Sequence, residues 1–298
     1  MGGLLGARAV FVGCAQNCAV TLPRVLGTME RLSALFAERA FVLLENDSRD
    51  ATKQVLRAWC ATRPAARLVE RDGLAAACPI RTIRLAQLRN SYLATVRAEF
   101  ADWDYLVVFD CDEVNDAEID SEAMRRAIDF LARGPSRAGV FANPDGIYRD
   151  IWALRHPKLC PGDAWEEVLD YGLRHKVADD EAFTRTFRKR IVTIARSDPP
   201  LEVASAFGGL AIYKIASVLG NARPYVGYKK KLVATPQGSR EVGWQVCEHV
   251  SFNAGFGERG EKLYILPYLV NGRIAQQWFP PDAYRLLIFD LKAAGLGD

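Results

Sequence analysis

No apolar run in the 298-residue chain approaches the ~20 residues that cross a bilayer. The opening Met1 to Gly6 also lacks the basic-then-apolar build of a secretory signal. Both absences predict a cytoplasmic protein with at most peripheral contact with the inner face of a membrane. Cysteine is present but without order: seven residues scattered from Cys14 to Cys247 include none of the close pairs of a structural zinc site. Reduced, mostly buried thiols are expected, as in a reducing compartment. Neither sign of charge dominates, and a formal net charge of +3 is too mild for a dedicated nucleic-acid binder. No internal repeat or low-complexity linker interrupts the chain.

What remains is a chain half hydrophobic, long enough to bury a full core. Its first third alternates two periods. Ala9, Val10, Phe11 and Val12 read as a buried strand, followed by a loop from Cys14 to Ala19. A helix comes next, with Thr21 as N-cap, Pro23 in the first turn and Leu22, Val25, Leu26, Met29, Leu32, Leu35 and Phe36 on one face. Phe41 to Leu44 read as a second strand, and Asp50 as the cap of a helix carrying Val55, Leu56 and Trp59. A third strand is expected near Leu68 and Val69, a longer helix from about Ile83 to Phe100, and a fourth strand at Tyr105 to Phe109. Later come a helix from about Ser121 to Ala132 and a strand at Gly139 to Ala142. Strands alternating with helices predict an α/β fold with a mostly parallel central sheet and helices on both faces. In such sheets ligands bind beyond the carboxyl ends of the strands.

That is where Asp110-Cys111-Asp112-Glu113 falls. Two carboxylates one residue apart can grip one hard divalent ion, Mn²⁺ or Mg²⁺, which favours oxygen ligands and completes its shell with substrate phosphates. An Asp-x-Asp triplet also arises about once by chance in a chain this acidic, and Asp102-Trp103-Asp104 is a second. Position separates them, because Asp102 and Asp104 precede the fourth strand as a turn whereas Asp110 and Asp112 follow it.

Leu43-Leu44-Glu45-Asn46-Asp47-Ser48-Arg49-Asp50-Ala51-Thr52 resembles the strand and Asp-Asp-Gly-Ser-x-Asp-x-Thr loop of family 2 and related glycosyltransferases. Arg89-Asn90 resembles the Arg-Asn pair on the helix before their metal motif, and Phe109-Asp110-Cys111-Asp112 their Asp-x-Asp strand end. The resemblance covers about the first 115 residues. It implies the GT-A fold, which is Rossmann-like, with 1–115 as the nucleotide-sugar half and 116–298 as the acceptor half of the same domain, ending in a tail after about Gly257. It also implies a nucleoside-diphosphate-sugar donor, UDP- or GDP-linked, a glycan or lipid-linked acceptor, and a hexosyl transfer in surface polysaccharide synthesis. The Glu45-Asn46-Asp47-Ser48 variant and the Tyr148-Arg149-Asp150-Ile151-Trp152 run resemble capsule α-1,3-mannosyltransferases and their bacterial relatives more than processive synthases, whose Gln-x-x-Arg-Trp signature is missing.

By the same resemblance Glu45, Asp47, Arg89, Asn90 and Asp110 are expected at the donor, and Gly208 and Gly209, in the turn Ala206 to Lys214, beside it. His249 is expected as a further metal ligand with Asp110 and Asp112, and Glu248 as an acid or base near the reacting carbon beside Asp112. Each has a plainer reading. Asp47, Ser48 and Asp50 suit a turn and helix cap, a lone histidine is more often a structural hydrogen-bonder, and paired glycines suit a simple turn. Arg81 and Arg84 share part of a helix face with Arg89. Asp163, Glu166 and Glu167 suit an acid-capped helix start, and Lys229 to Lys231 with the Arg185 to Arg190 cluster a solvated basic face. Two other functions stay open: a sugar-nucleotide nucleotidyltransferase, for which Gly13-Cys14-Ala15-Gln16-Asn17 is a poor phosphate loop, and a non-catalytic binding protein of this fold.

Overall fold

The apolar runs of the sequence become the middle strands of one eight-stranded sheet. The structure, a computed structural model, describes residues 4–144, 147–148, 150–235, 238–272 and 280–296. Its first part comprises β1 (Leu4–Ala15), α1 (Leu22–Ser33), β2 (Phe36–Glu45), α2 (Thr52–Ala61), β3 (Ala66–Glu70), α3 (Leu74–Ala77), α4 (Arg81–Glu99) and β4 (Tyr105–Asp110). There follow α5 (Ser121–Arg133), β5 (Arg137–Phe141), β6 (Ile147–Tyr148), α6 (Ala164–His175), α7 (Asp179–Arg185), β7 (Val192–Thr193), β8 (Leu201–Val203) and β9 (Leu210–Lys214). The last part holds α8 (Ile215–Gly220), β10 (Tyr228–Thr235), β11 (Gly238–Gln245), α9 (Glu248–Glu258), β12 (Lys262–Ile265) and β13 (Ile288–Phe289).

The strand order of the large sheet is β3-β2-β1-β4-β9-β5-β12-β8. Pairing is parallel from β3 to β4 and again between β5 and β12, while β9 runs antiparallel to both its neighbours and β8 antiparallel to β12. Strand residues alternate between two faces, so Val10, Val12, Val42, Leu106 and Val108 enter one core with α4, α6 and α9, and Ala9, Phe11, Leu43, Val107 and Phe109 enter the other with α1, α2 and α5. Burial of both faces explains the continuous apolar runs of β1, β2 and β4. The expected α/β class, a mostly parallel sheet covered by helices on both faces, is therefore the architecture observed. Because β9, from the second half of the chain, lies beside β4, one sheet carries the residues on both sides of position 115.

Several local expectations change. Helix α1 stops at Ser33, so Leu35 and Phe36 are buried from outside it, Phe36 packing edge-on against Phe11. Thr21 stands at the N-cap, but its hydroxyl donates to the Cys18 carbonyl instead of accepting from the helix. Asp50 lies one residue before the N-cap of α2 and still accepts the Thr52 N–H, at 2.9 Å. Strand β1 runs on through Cys14, which pairs with Leu44 and Asp110, so the expected loop begins later. The tail expected after about Gly257 also starts later, because Leu263 and Ile265 are buried and place β12 inside the sheet. All seven cysteines are free thiols, and among the described residues no helix is long and apolar enough to cross a membrane.

Candidate active site

Strands β1 and β4 and the loop after β2 end on one side of the sheet, and there a cleft of about 710 Å³ opens. Its floor is the end of β4. Asp110 is the last residue of that strand, and Asp112 caps a short 3₁₀ turn, its Oδ1 accepting the Val114 N–H at 3.2 Å. The acidic pair stays close to β9 through the Asp110 N–H, which donates to the Gly209 carbonyl at 2.8 Å. Gly209 has φ +86° and Gly208 φ +68°, a region that favours glycine. A Cβ on Gly208 would lie 2.6 Å from the Ala142 carbonyl oxygen, and one on Gly209 would strike Val114. Only glycine fits both positions.

Beneath the floor lies a buried ion network. The Arg89 guanidinium, on α4, gives Nη2 to Asp110 Oδ1 at 3.0 Å and Nε to Glu248 Oε1, at the start of α9, at 2.8 Å. Burial works against its charge, but Tyr92, Glu248 and Asp110 around it hold its pKa well above the usual value. Burial likewise pushes the Asp110 carboxyl up to about 7, Arg89 pulling it down and Asp112 and Glu248 pushing it further up. His249 stacks on Phe207 with ring centroids 3.8 Å apart. Burial and the nearby Arg89 keep it neutral, and neither ring nitrogen has a hydrogen-bond partner although both are buried.

The cleft wall gathers Arg89, Asp110, Asp112, Gly209, Glu248 and His249, six of the ten residues expected at a site. The other four lie off the wall. Glu45 is buried at the end of β2, where Oε1 accepts the Ser48 N–H and Lys53 approaches Oε2 at 3.5 Å. Asp47, in a left-handed turn with φ +51°, accepts the N–H groups of Gly73 and Ala75, both at 2.6 Å, and these hold its carboxyl below the usual range. Between them Asn46 reaches the wall instead. Asn90 spends both ends of its amide on the backbone of Tyr225. Gly208 gives its N–H to Asp150 Oδ2 at 2.8 Å. Arg89 lines the cleft, but its charge is already shared between two carboxylates, so the resemblance located it while the contacts give it a neighbour-holding task.

Other wall residues were not among the ten expected. Arg81 and Arg84 stand at the start of α4, and the Arg84 guanidinium donates to the carbonyls of Cys78 and Pro79. Their three-residue spacing was the available signal. Asp150, Trp152 and Trp165 line the cleft too; the Tyr148 to Trp152 run stood out in the sequence only as a resemblance, and nothing local marks these three as wall residues. Asp163, Glu166 and Glu167 have structural partners: Asp163 caps α6 through Trp165 and Glu166, Glu166 pairs with Lys229 and Lys231, and Glu167 with Arg190. The basic cluster is thus largely neutralised by its neighbours. Arg149 lies outside the described residues.

Among the described residues no three His, Cys, Asp or Glu side chains form a ready-made metal cage. That still suits a hard divalent ion, which takes one or two carboxylates and fills its shell with water and phosphate oxygens. One oxygen of each of Asp110 and Asp112 is engaged as described, which leaves one on each; His249, expected as a third ligand, does not form a three-residue metal set with them.

No protein-family profile and no curated protein matches this sequence. Solved structures do. One is the mannosyltransferase PcManGT from Pyrobaculum calidifontis in complex with GDP-Man and Mn²⁺, at 15% identity and TM-score 0.48, over 93% of this chain and 59% of that one. Another is glucosyl-3-phosphoglycerate synthase from Mycobacterium tuberculosis in complex with UDP, at 16% identity and TM-score 0.41, over 98% and 82%. A third is S. aureus TarS 1-349, at 12% identity and TM-score 0.47, over 89% and 59%. The chain thus spans about three fifths of the first and third. At TM-scores below 0.5 none of these likenesses bears on the chemistry of the site.

Proposed function

We propose that the chain is a glycosyltransferase of the GT-A kind, which uses Mn²⁺ or Mg²⁺ to move a hexosyl group from a UDP- or GDP-linked sugar to a saccharide or lipid-linked hydroxyl. The observation that carries this reading is the charge arrangement of the cleft. Among the described residues, five carboxylates (Asp110, Asp112, Glu113, Asp150, Glu248) line it against three guanidiniums (Arg81, Arg84, Arg89). The surplus is negative, and a diphosphate would add to it, so the site suits an anion only together with a divalent cation. Asp110 and Asp112 would hold that ion through the oxygen each has left, with water and phosphate oxygens completing its shell. When bound, it would neutralise charge on the departing diphosphate as a Lewis acid.

The chain's own residues divide the remaining work. Arg81 and Arg84, on the lip, suit the outer phosphate oxygens. Asn46 and Gln16 offer amides to the nucleoside, and Gln16 is already oriented by its 2.9 Å bond to the Asn46 carbonyl. Glu248 holds Arg89, and through it Asp110, in one orientation. Trp152, Trp165 and Phe187, the aromatic part of the wall with Phe207, suit the acceptor, because sugar C–H faces and lipid chains both pack on aromatic rings. This reading carries a cytoplasmic location with at most peripheral membrane contact, and a place in surface polysaccharide synthesis.

The test is a panel of UDP-, GDP-, dTDP- and CMP-sugars screened for hydrolysis and for thermal stabilisation with and without Mn²⁺. A ligand that binds the native state raises the melting temperature. At least one donor should do so only with the metal, and Asp112→Ala should abolish the gain. If no donor stabilises the protein, or if Asp110→Ala with Asp112→Ala leaves the metal-dependent gain intact, the reading is wrong.

A further inference from the structure

The proposed transfer needs a group to take the acceptor's proton. We propose that Asp150 is that base, and that transfer therefore inverts the configuration at the anomeric carbon. The inference rests on the glycosyltransferase reading and deepens it.

Asp150 follows β6 and lines the cleft together with Ile151, Trp152 and Ala153, close enough to Glu248 and Arg89 to feel their charges. One dipeptide ties it to the acidic floor. The Gly208 N–H donates to Asp150 Oδ2 at 2.8 Å, and the Gly209 carbonyl accepts the Asp110 N–H at 2.8 Å. This link requires the left-handed backbone of Gly208 and the absence of a Cβ there, so the carboxylate is held by a feature no other residue could supply. An acceptor lying on Trp152 would bring its hydroxyl over Asp150, beside the phosphate end of the cleft.

Apart from Glu113, which follows Asp112 directly in the chain, the other carboxylates are committed. Asp110 and Glu248 share Arg89, Asp112 caps the turn after β4, Asp163 caps α6 and meets Arg155 at 3.4 Å, and Glu166 sits between two lysines. Burial pushes the Asp150 carboxyl up to about 6 against the pull of the Gly208 and Ala153 N–H groups, Glu248 adding to the rise and Arg89 opposing it. Among the described residues of its own segment, Tyr148 is a titratable neighbour that feels its charge. A carboxylate so placed is ionised at neutral pH yet basic enough to accept a proton in the transition state.

In the step, Asp150 Oδ1 takes the hydroxyl proton as the acceptor oxygen bonds to the anomeric carbon. The bond from that carbon to the β-phosphate oxygen breaks, and the nucleoside diphosphate leaves with the electron pair. Protonated Asp150 then returns its proton to water. Attack from the face opposite the leaving group inverts the configuration.

The experiment uses the full chain with the donor found by the panel, and the variants Asp150→Asn and Asp150→Glu. Asparagine keeps an oxygen for the Gly208 N–H, so folding should survive. Single-turnover transfer should fall about 10²- to 10⁴-fold in Asp150→Asn and recover in part in Asp150→Glu. The melting-temperature gain from the nucleoside diphosphate with Mn²⁺ should not change, and the wild-type product should show inverted anomeric configuration by NMR. Transfer with retention, or an Asp150→Asn rate within threefold of wild type, overturns the proposal while leaving the glycosyltransferase reading intact. If Asp150→Asn does not fold, Asp150→Glu and the product configuration decide. A wild-type chain that turns over no donor removes the underlying reading, and this inference with it.

Discussion

Replacing Arg89 with methionine tests the ion network under the site. The guanidinium is 4% exposed and Glu248 6%, so removing the arginine leaves one buried carboxylate unpaired and strips Asp110 of its partner. Breaking a buried pair from one side costs about 3–5 kcal/mol. For a chain of this length that is about 5–8 °C in melting temperature, taking roughly 2.1 cal/mol/K per residue for the unfolding entropy. Arg89→Lys should recover little of the loss, because a point-charge ammonium cannot span Nε to Glu248 and Nη2 to Asp110 as the planar fork does. The double variant Arg89→Met with Glu248→Met should be less destabilised than the sum of the two single ones, since it leaves no orphaned charge beneath the floor. Equilibrium urea unfolding at pH 7, monitored by tryptophan fluorescence and circular dichroism, reads all four. Were Arg89→Met to cost under 1 kcal/mol, or were the three variants strictly additive, the network would not be the buried support described.

Gly209→Ala combines a strained backbone with a clash against Val114 and should lower stability by about 2–5 kcal/mol; a value near zero in the same urea assay would mean that the turn relaxes freely. Asp47→Ala removes the acceptor of two loop N–H groups and should lower the melting temperature while leaving the gain from nucleoside diphosphate and Mn²⁺ unchanged, whereas Asp112→Ala should do the reverse; an exchange of these outcomes would put Asp47 at the donor. For Glu166, burial raises its pKa, but the hydrogen bonds from Lys229 and Lys231 outweigh burial and hold it below 4.5. A depressed folded-state pKa gives stability that is present above the unfolded value and lost as pH falls through the folded one. Glu166→Gln should therefore melt below wild type at pH 7 and converge with it as the pH drops beneath the carboxylate range. A constant difference across that range would show that the lysines do not set this pKa.

The parallel half of the sheet was legible because strands buried on both faces must be apolar along their length, and Ala9 to Val12, Phe41 to Leu44 and Tyr105 to Phe109 carry that signal. Leu201 to Val203 and Lys262 to Ile265 escaped it: each is short, holds one or two buried apolar residues and pairs across more than fifty positions of chain. The acidic pair was legible by place, at the end of a strand. Glu45 and Asp47 were misplaced toward the cleft because a loop's sequence does not say which way its side chains turn. The last pleat of β2 buries Glu45, the left-handed turn at Asp47 aims that carboxylate at Gly73 and Ala75, and Asn46 between them is the residue that meets the cleft.

The same reasoning explains why the place of Asp150 at the site was not legible in the sequence, although the run it belongs to was. A strand-end carboxylate is marked by the apolar run before it, but Asp150 follows only the two residues of β6 and takes its position from a hydrogen bond 58 residues along the chain. Its partner Gly208 is legible as a glycine and not as a donor to any particular side chain. What makes the pair consequential is the next bond in the series, from Gly209 to Asp110: moving either glycine would shift the carboxylate beside the apolar wall and the carboxylate on the floor together. Gly208→Ala should therefore weaken metal-dependent nucleotide binding and acceptor turnover in one step, whereas Asp150→Asn should separate them, and that contrast distinguishes a coupled site from two that merely adjoin.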